Sequence, residues 1–154
     1  MNAPKHSQFQ AADNQAEPGG IRPLQPPLPT QQERETPFWQ AARQGKLRIQ
    51  ACLDCASHRF PDAPVCAHCL STNAHWVDVP PTAVVKAWCR FHRAYFEGFH
   101  MPHTVLLIEL EGGARMYANL ASGHEDVTPH VGMKLQAEFE EIAPEVTMPK
   151  FRPA

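Results

Sequence analysis

The sequence predicts a mainly β protein in which a short helix and a small cysteine-rich ribbon precede a Greek-key barrel. Three observations carry this. The 154 residues include two Cys-x2-Cys pairs, Cys52/Cys55 and Cys66/Cys69. From residue 80 onward, apolar and polar residues alternate with the period of two that half-buried strands require. Proline, 16 residues in all, is spread so unevenly that it divides the chain. A chain of this length makes one modest domain or two very small ones.

Residues 1–35 carry six of the prolines (Pro4, Pro18, Pro23, Pro26, Pro27, Pro29), a Gly19-Gly20 pair and a single aromatic, Phe9. Such a stretch buries too little apolar surface to offset its ordering entropy, so a flexible or polyproline-like tail is expected, with docking to a partner as the alternative. Residues 36–79 read as a helix plus ribbon. Thr36 is the expected N-cap, Pro37 the first helical residue and Gly45 the residue just past the end. About eight residues cannot hold a helix alone, so Phe38, Ala41 and Ala42 must lean on this domain or on a partner. Leu47, Ile49 and Ala51 then alternate with Lys46, Arg48 and Gln50 in a strand that leads to the first cysteine pair.

Residues 80–154 read as the barrel. One face of its first strand is expected to hold Val85, Ala87, Cys89 and Phe91, and the other Val84, Lys86, Trp88 and Arg90. Val105 to Leu110 is a more continuously apolar strand, Glu111-Gly112-Gly113 a turn, and Arg115 to Leu120 the returning strand. Residues 121–130 form a loop or short helix, and Lys134 to Ile142 a fourth strand with Leu135, Ala137 and Phe139 on one side. Four strands and an extended C-terminal tail suit a small Greek-key barrel.

Four cysteines in two such pairs supply a tetrahedron of thiolates, the donor set of a structural zinc site; a one-iron centre fits the same sulfurs. With all four positions filled by Cys52, Cys55, Cys66 and Cys69, such a site stabilises a fold and does not activate water. Disulfides fit poorly with a fifth, odd cysteine, and a thioredoxin-like pair would need a βαβ setting. His58, His68 and His75 read as solvated loop residues beside the ribbon. Cys89 reads as a small buried hydrophobe rather than a nucleophile.

Between strands, Phe91, His92, Arg93 and Tyr95 combine cationic and aromatic groups suited to a phosphorylated, adenine-bearing ligand or, equally, to a partner protein, with an ordinary exposed hairpin loop as the alternative. No Gly-rich phosphate loop, G-x-S-x-G elbow or H-E-x-x-H motif is present, which shifts the expectation from enzyme to binding or accessory subunit. The formal charge of -2 and pI near 6.5 lack the basic excess of a nucleic-acid binder. Residues 80–143 hold five Lys+Arg and eight Asp+Glu, a net of -3, so the barrel itself is acidic. No run of 18 apolar residues and no apolar stretch of the kind a secretory signal needs occurs, and a cytoplasmic protein with no membrane contact is expected.

Several segments occur together in one order: Pro37-Phe38-Trp39, Gly45-Lys46-Leu47, Gln50-Ala51-Cys52 and the four-cysteine ribbon. His92-Arg93, Glu109 to Arg115, Ala118-Asn119-Leu120, Gly132-Met133 and Pro149-Lys150-Phe151-Arg152-Pro153 follow. From about residue 36 to residue 153 the chain thereby resembles the zinc-ribbon/OB-fold family of acyl-CoA-associated proteins. The resemblance implies a rubredoxin-like zinc ribbon followed by an OB-fold barrel. It also implies a noncatalytic subunit in a hetero-oligomer with a thiolase-superfamily enzyme (a thiolase, acyltransferase or retro-aldol lyase) that itself acts on acyl-CoA. On that reading Arg90, Arg93 and Arg115 are candidate contacts for the phosphates of a coenzyme A thioester, with His92 beside them and Phe91 and Tyr95 as stacking partners. Phe38, Trp39 and Trp88 are the candidate partner-facing patch. The chain departs from the family pattern at Val79-Pro80-Pro81-Thr82-Ala83, where a Gly-x-Gly pair is usual, and at Ala56 and Leu70, where glycine commonly follows a second cysteine. Single-stranded nucleic-acid binding is the competing reading, because zinc ribbons and OB barrels both recur there.

Overall fold

The structure, a computed structural model, describes residues 28, 29, 31–93 and 101–154. Among these residues one α-helix, α1 (Thr36–Arg43), precedes the strands β1 (Leu47–Cys52), β2 (His58–Arg59), β3 (Ala74–Val79), β4 (Thr82–Phe91), β5 (His103–Leu110), β6 (Arg115–Asn119), β7 (Lys134–Ala143) and β8 (Val146–Pro153). The first three strands form the ribbon sheet in the order β2-β1-β3, and the rest form a five-stranded antiparallel sheet in the order β6-β5-β4-β7-β8. That sheet curls until its outer ends meet at one parallel bridge, Leu120 to Phe151, reinforced by the Ala121 amide donating to the Phe151 carbonyl at 2.8 Å. The helix, ribbon and OB-type sheet follow the expected order.

The extended C-terminal tail proves to be a full strand. Pro149 and Pro153 obscure β8 in the sequence, because a proline cannot donate to a ladder; at the sheet edge that loss is tolerated. Phe151, fully buried, anchors β8 to the core.

Helix α1 is entered differently from the sequence expectation. A 3-10 turn at Glu33–Glu35 winds directly into it, so Glu35 takes the N-cap position and Thr36 is already helical. Gly45 adopts φ +72 just beyond the helix, where a left-handed residue closes the C-terminus. Phe38 and Trp39 are not an exposed patch. They are buried at 5% and 8% exposure against Val146, with Phe60, Trp76 and Met148 packed around them. The apolar face of a helix too short to stand alone is therefore covered by the ribbon and the β7–β8 hairpin of the same chain.

The ribbon and the barrel share one core. Leu47, Ile49 and Val79 of the ribbon sheet belong to the same buried cluster as Val85, Leu106, Ile108, Leu135 and Phe151. Their junction is tight at Gly112, which turns the β5–β6 hairpin at φ +83; a Cβ placed there would overlap the ring of His58. His58 is thus half-buried at the junction, with its Nδ1 buried and unpaired, and is not the solvated loop residue expected; His68 and His75 are exposed. Gly113, at φ +85, has open space around it. Gly112→Ala should therefore destabilise more than Gly113→Ala, which meets only the left-handed strain of about 1–2 kcal/mol. The added loss should shrink when His58→Ala is combined with it in a denaturation cycle.

Candidate metal centre

The two cysteine pairs fold into matching knuckles. In the first, the Ala56 amide donates to the Cys52 carbonyl at 3.0 Å and the Cys52 amide to the Ser57 carbonyl at 3.0 Å. In the second, Leu70 donates to Cys66 at 3.0 Å and Cys66 to Ser71 at 2.8 Å. The repeated backbone pattern turns both pairs of thiols toward a common point. The sulfurs of Cys52, Cys55, Cys66 and Cys69 lie within 4.8 Å of one another, with Cys52–Cys69 and Cys55–Cys66 separations of 3.6 Å. A tetrahedron with metal–sulfur bonds of about 2.3 Å has edges of roughly 3.8 Å, so the four donors fit a zinc ion without rearrangement. None of these cysteines is joined in a disulfide, and the 3.6 Å separations are well beyond an S–S bond of about 2.05 Å, which disposes of the disulfide alternative.

Cys52 and Cys66 are buried and Cys55 and Cys69 exposed, so one edge of the site faces solvent. The Ser57 hydroxyl touches both Cys55 and Cys66, at 3.2 and 3.3 Å. Together with the amides of Cys69 and His68, that hydroxyl lowers the Cys66 thiol to about 5. At Cys69 the Ser71 amide draws the thiol down, but the Cys55 sulfur, desolvation and Cys52 outweigh it and push the group up to about 12. Of these two knuckle thiols, Cys66 is thus the readier to ionise and Cys69 the more reluctant.

Both knuckles turn at non-glycine residues. Ala56 sits at φ +59 and Leu70 at φ +62, the left-handed region that disfavours any Cβ. These are the two knuckle positions at which the family resemblance predicts glycine. Ala56→Gly or Leu70→Gly, each in the metal-loaded protein, is expected to raise stability by about 0.5–1 kcal/mol after the entropic loss of glycine is deducted; urea denaturation checks it.

The candidate ligand-contact residues do not converge on one pocket. A bulge in β4 shifts the register between Val85, opposite Ile108, and Ala87, opposite Leu107. The extra residue reverses every later side chain. Ala87, Cys89 and Phe91 therefore turn outward and Trp88 and Arg90 inward, which corrects the uninterrupted alternation expected for this strand. Cys89 is exposed, not buried. Arg90 is held by the Thr104 hydroxyl at 3.1 Å and the Val127 carbonyl at 2.6 Å, and lies over the Trp88 ring at 5.9 Å. Trp88 is 38% exposed.

Phe91, His92 and Arg93 are exposed at the far end of β4, whereas Arg115 pairs with Glu109 at 3.0 Å near the β5–β6 turn. The pairings Phe91–His103 and Glu109–Arg115 lie six residues apart along β5, about 20 Å. A single phosphate cannot touch both ends. Tyr95 lies outside the described residues. An open cleft of about 410 Å3, lined by Thr82, Glu109, Glu111, Lys134 and Ala154 among others, was not foreseen; it assembles from strand ends far apart in sequence.

Comparison with known proteins follows the same two-part architecture. Residues 39–74 match the model described as ChsH2, rubredoxin-like zinc ribbon domain, and residues 76–140 match ChsH2, C-terminal OB-fold domain. A chain of a solved Ltp2-ChsH2(DUF35) aldolase is 34% identical, with a TM-score of 0.70, and the match covers 81% of this chain and 98% of that one. The chain belongs to the ChsH2 family. A probable enoyl-CoA hydratase alpha subunit from Thermomonospora curvata is 37% identical over 122 residues, covering 79% of this chain but 38% of that relative. The chain thus spans about two fifths of the length of that curated relative. A DUF35-family protein of unknown function from Sulfolobus solfataricus, 21% identical with a TM-score of 0.50 over 68% of this chain and 77% of that one, shares the fold. Among the described residues, no helix is long and apolar enough to cross a membrane.

Proposed function

We propose that this ChsH2-family chain is a noncatalytic zinc-ribbon/OB-fold subunit that complexes with a thiolase-superfamily enzyme in the cytoplasm and helps hold acyl-CoA at that enzyme. The observation that carries the reading is the match of 81% of this chain to 98% of a chain of the Ltp2-ChsH2(DUF35) aldolase. The acyl-CoA part draws support from the relative described as a probable enoyl-CoA hydratase alpha subunit.

The chemistry of the chain agrees. Cys52, Cys55, Cys66 and Cys69 would hold zinc with no open coordination position, so the metal would supply folding energy and no activated water. A barrel lying over a partner's channel would exclude water and fix the pantetheine arm, lowering the entropic cost of the partner's reaction. Phe91, His92 and Arg93, with Tyr95 following in the sequence, are the proposed contacts at one end of the extended thioester and Arg115 at the other. Arg90, already bound to Thr104 and Val127, would act by keeping that strand end in place.

Affinity purification of the tagged chain from its native host at moderate salt, with mass spectrometry and metal analysis of the same sample, tests the reading. A stoichiometric thiolase-superfamily enzyme with about one zinc per chain is expected. A preparation carrying nucleic acid in place of an enzyme, or a lone chain that turns over substrate unaided, would overturn it.

A further inference from the structure

The two knuckles match in backbone but not in the side chain that follows them. Ser57 and Ser71 each lie five residues after the first cysteine of their pair, and each carbonyl receives that cysteine's amide. Both are half-buried. The Ser71 hydroxyl is engaged elsewhere, accepting from the Asn73 amide at 2.9 Å. The Ser57 hydroxyl instead sits against the edge between the knuckles, 3.2 Å from Sγ of Cys55 and 3.3 Å from Sγ of Cys66, sulfurs that are themselves 3.6 Å apart. Its placement is fixed from both sides. The left-handed turn at Ala56 precedes it, and the next two residues, His58 and Arg59, pair with Ala51 and Gln50 of β1.

Four thiolates around a divalent cation leave an excess of negative charge, and a fold that buries part of it must offset it with hydrogen-bond donors. The His68 amide is one such donor, 3.4 Å from Sγ of Cys66 and fixed by the backbone. Metal-bound thiolates carry no proton and only accept, so beside them the Ser57 hydroxyl must be the donor. Its one proton, shared along the Cys55–Cys66 edge, ties an exposed sulfur of the first knuckle to a buried sulfur of the second. Cys55 is one of the two corners open to solvent, where release of the ion would begin. Resting on the metal reading above but on neither the partner nor the acyl-CoA role, we propose that Ser57 is a positioning residue for the metal, whose hydroxyl holds the Cys55–Cys66 edge closed and slows release of the ion. Because Leu47, Ile49 and Val79 join the ribbon to the barrel core, that retention protects the barrel as well.

The full-length protein is loaded with zinc, and transfer of the metal to an excess of chelating indicator is timed for the wild type, Ser57→Ala, Ser57→Thr and Ser71→Ala. Loss of the Ser57 hydroxyl should speed release by about tenfold, the low end of what outer-shell partners contribute to metal affinity. Ser57→Thr, which keeps the hydroxyl, and Ser71→Ala, which removes one bound elsewhere, should release zinc at the wild-type rate. Cobalt(II) in the same thiolate tetrahedron supplies a readout that a merely structural role would not move. A thiolate that loses a donated hydrogen bond is the better electron donor, so the sulfur-to-metal absorption band of Ser57→Ala should shift to longer wavelength. Should Ser57→Ala fail to load, Ser57→Val against the near-isosteric Ser57→Thr repeats the comparison with shape held constant. Release of zinc by Ser57→Ala at the wild-type rate, an unmoved cobalt band, or equal acceleration by Ser71→Ala would overturn the role of Ser57 and leave the metal centre standing. A wild-type chain that takes up neither ion would overturn both.

Discussion

Replacing Cys66 by serine is expected to abolish metal binding and unfold the ribbon. Cys66 is 1% exposed and lies 3.6 Å from Cys55, so its loss removes one corner of the tetrahedron and leaves a buried hydroxyl in its place. In modules of this size the apparent binding energy of a structural zinc, about 10–16 kcal/mol near neutral pH, is folding energy. The damage should not stop at the knuckles. Leu47, Ile49 and Val79 pack in the barrel core, so melting the ribbon exposes one side of the barrel as well. Metal content and thermal melting of the purified variant read the effect, and a chelator acting on the wild type should reproduce it. A variant that keeps one metal per chain and melts like the wild type would refute the structural role. Acidification should weaken metal binding too. Metal binding would expel the proton of Cys69, whose thiol is pushed up to about 12, so each fall in pH shifts the exchange toward protonated thiol. Competition with a zinc indicator across the neutral range would show affinity rising with pH.

Phe151→Ala should be the most damaging single change in the barrel. The ring is fully buried among Val85, Leu106, Ile108 and Leu135, and its backbone makes the bridge to Leu120 and accepts from Ala121. Removal of a buried phenyl ring costs about 3–5 kcal/mol, which for a domain of this size lowers Tm by roughly 10–20 °C. Val131→Ala, at a position 67% exposed, should change stability by less than about 0.5 kcal/mol. Equal Tm values for the two variants would mean that β8 is not part of the cooperative fold.

The metal centre was legible in the sequence because its information is local. Two Cys-x2-Cys spacings fix knuckle geometry within a few residues, and a tetrahedral ion asks only that the two knuckles face each other. The same locality made the helix at Pro37-Phe38-Trp39, the turn at Gly112-Gly113 and the alternation of Leu135, Ala137 and Phe139 readable. The strand β8 was hidden because its prolines argue against a ladder unless the strand is known to lie at an edge, and edge position is a property of the whole sheet.

Tertiary structure alone decided which way the side chains of β4 beyond Val85 point. One extra residue between Val85 and Ala87 exchanged the two faces, sending Arg90 to Thr104 and Val127 and exposing Cys89; no periodicity within the strand marks that slip, since it is fixed by pairing with β5. It also decided what covers Phe38 and Trp39: an amphipathic helix states that it has an apolar face, and only the position of the β7–β8 hairpin shows that the face is closed within the chain. Short-range spacing thus determined the metal site and the order of the elements, while long-range strand pairing determined which side chains each strand turns inward and which it leaves exposed.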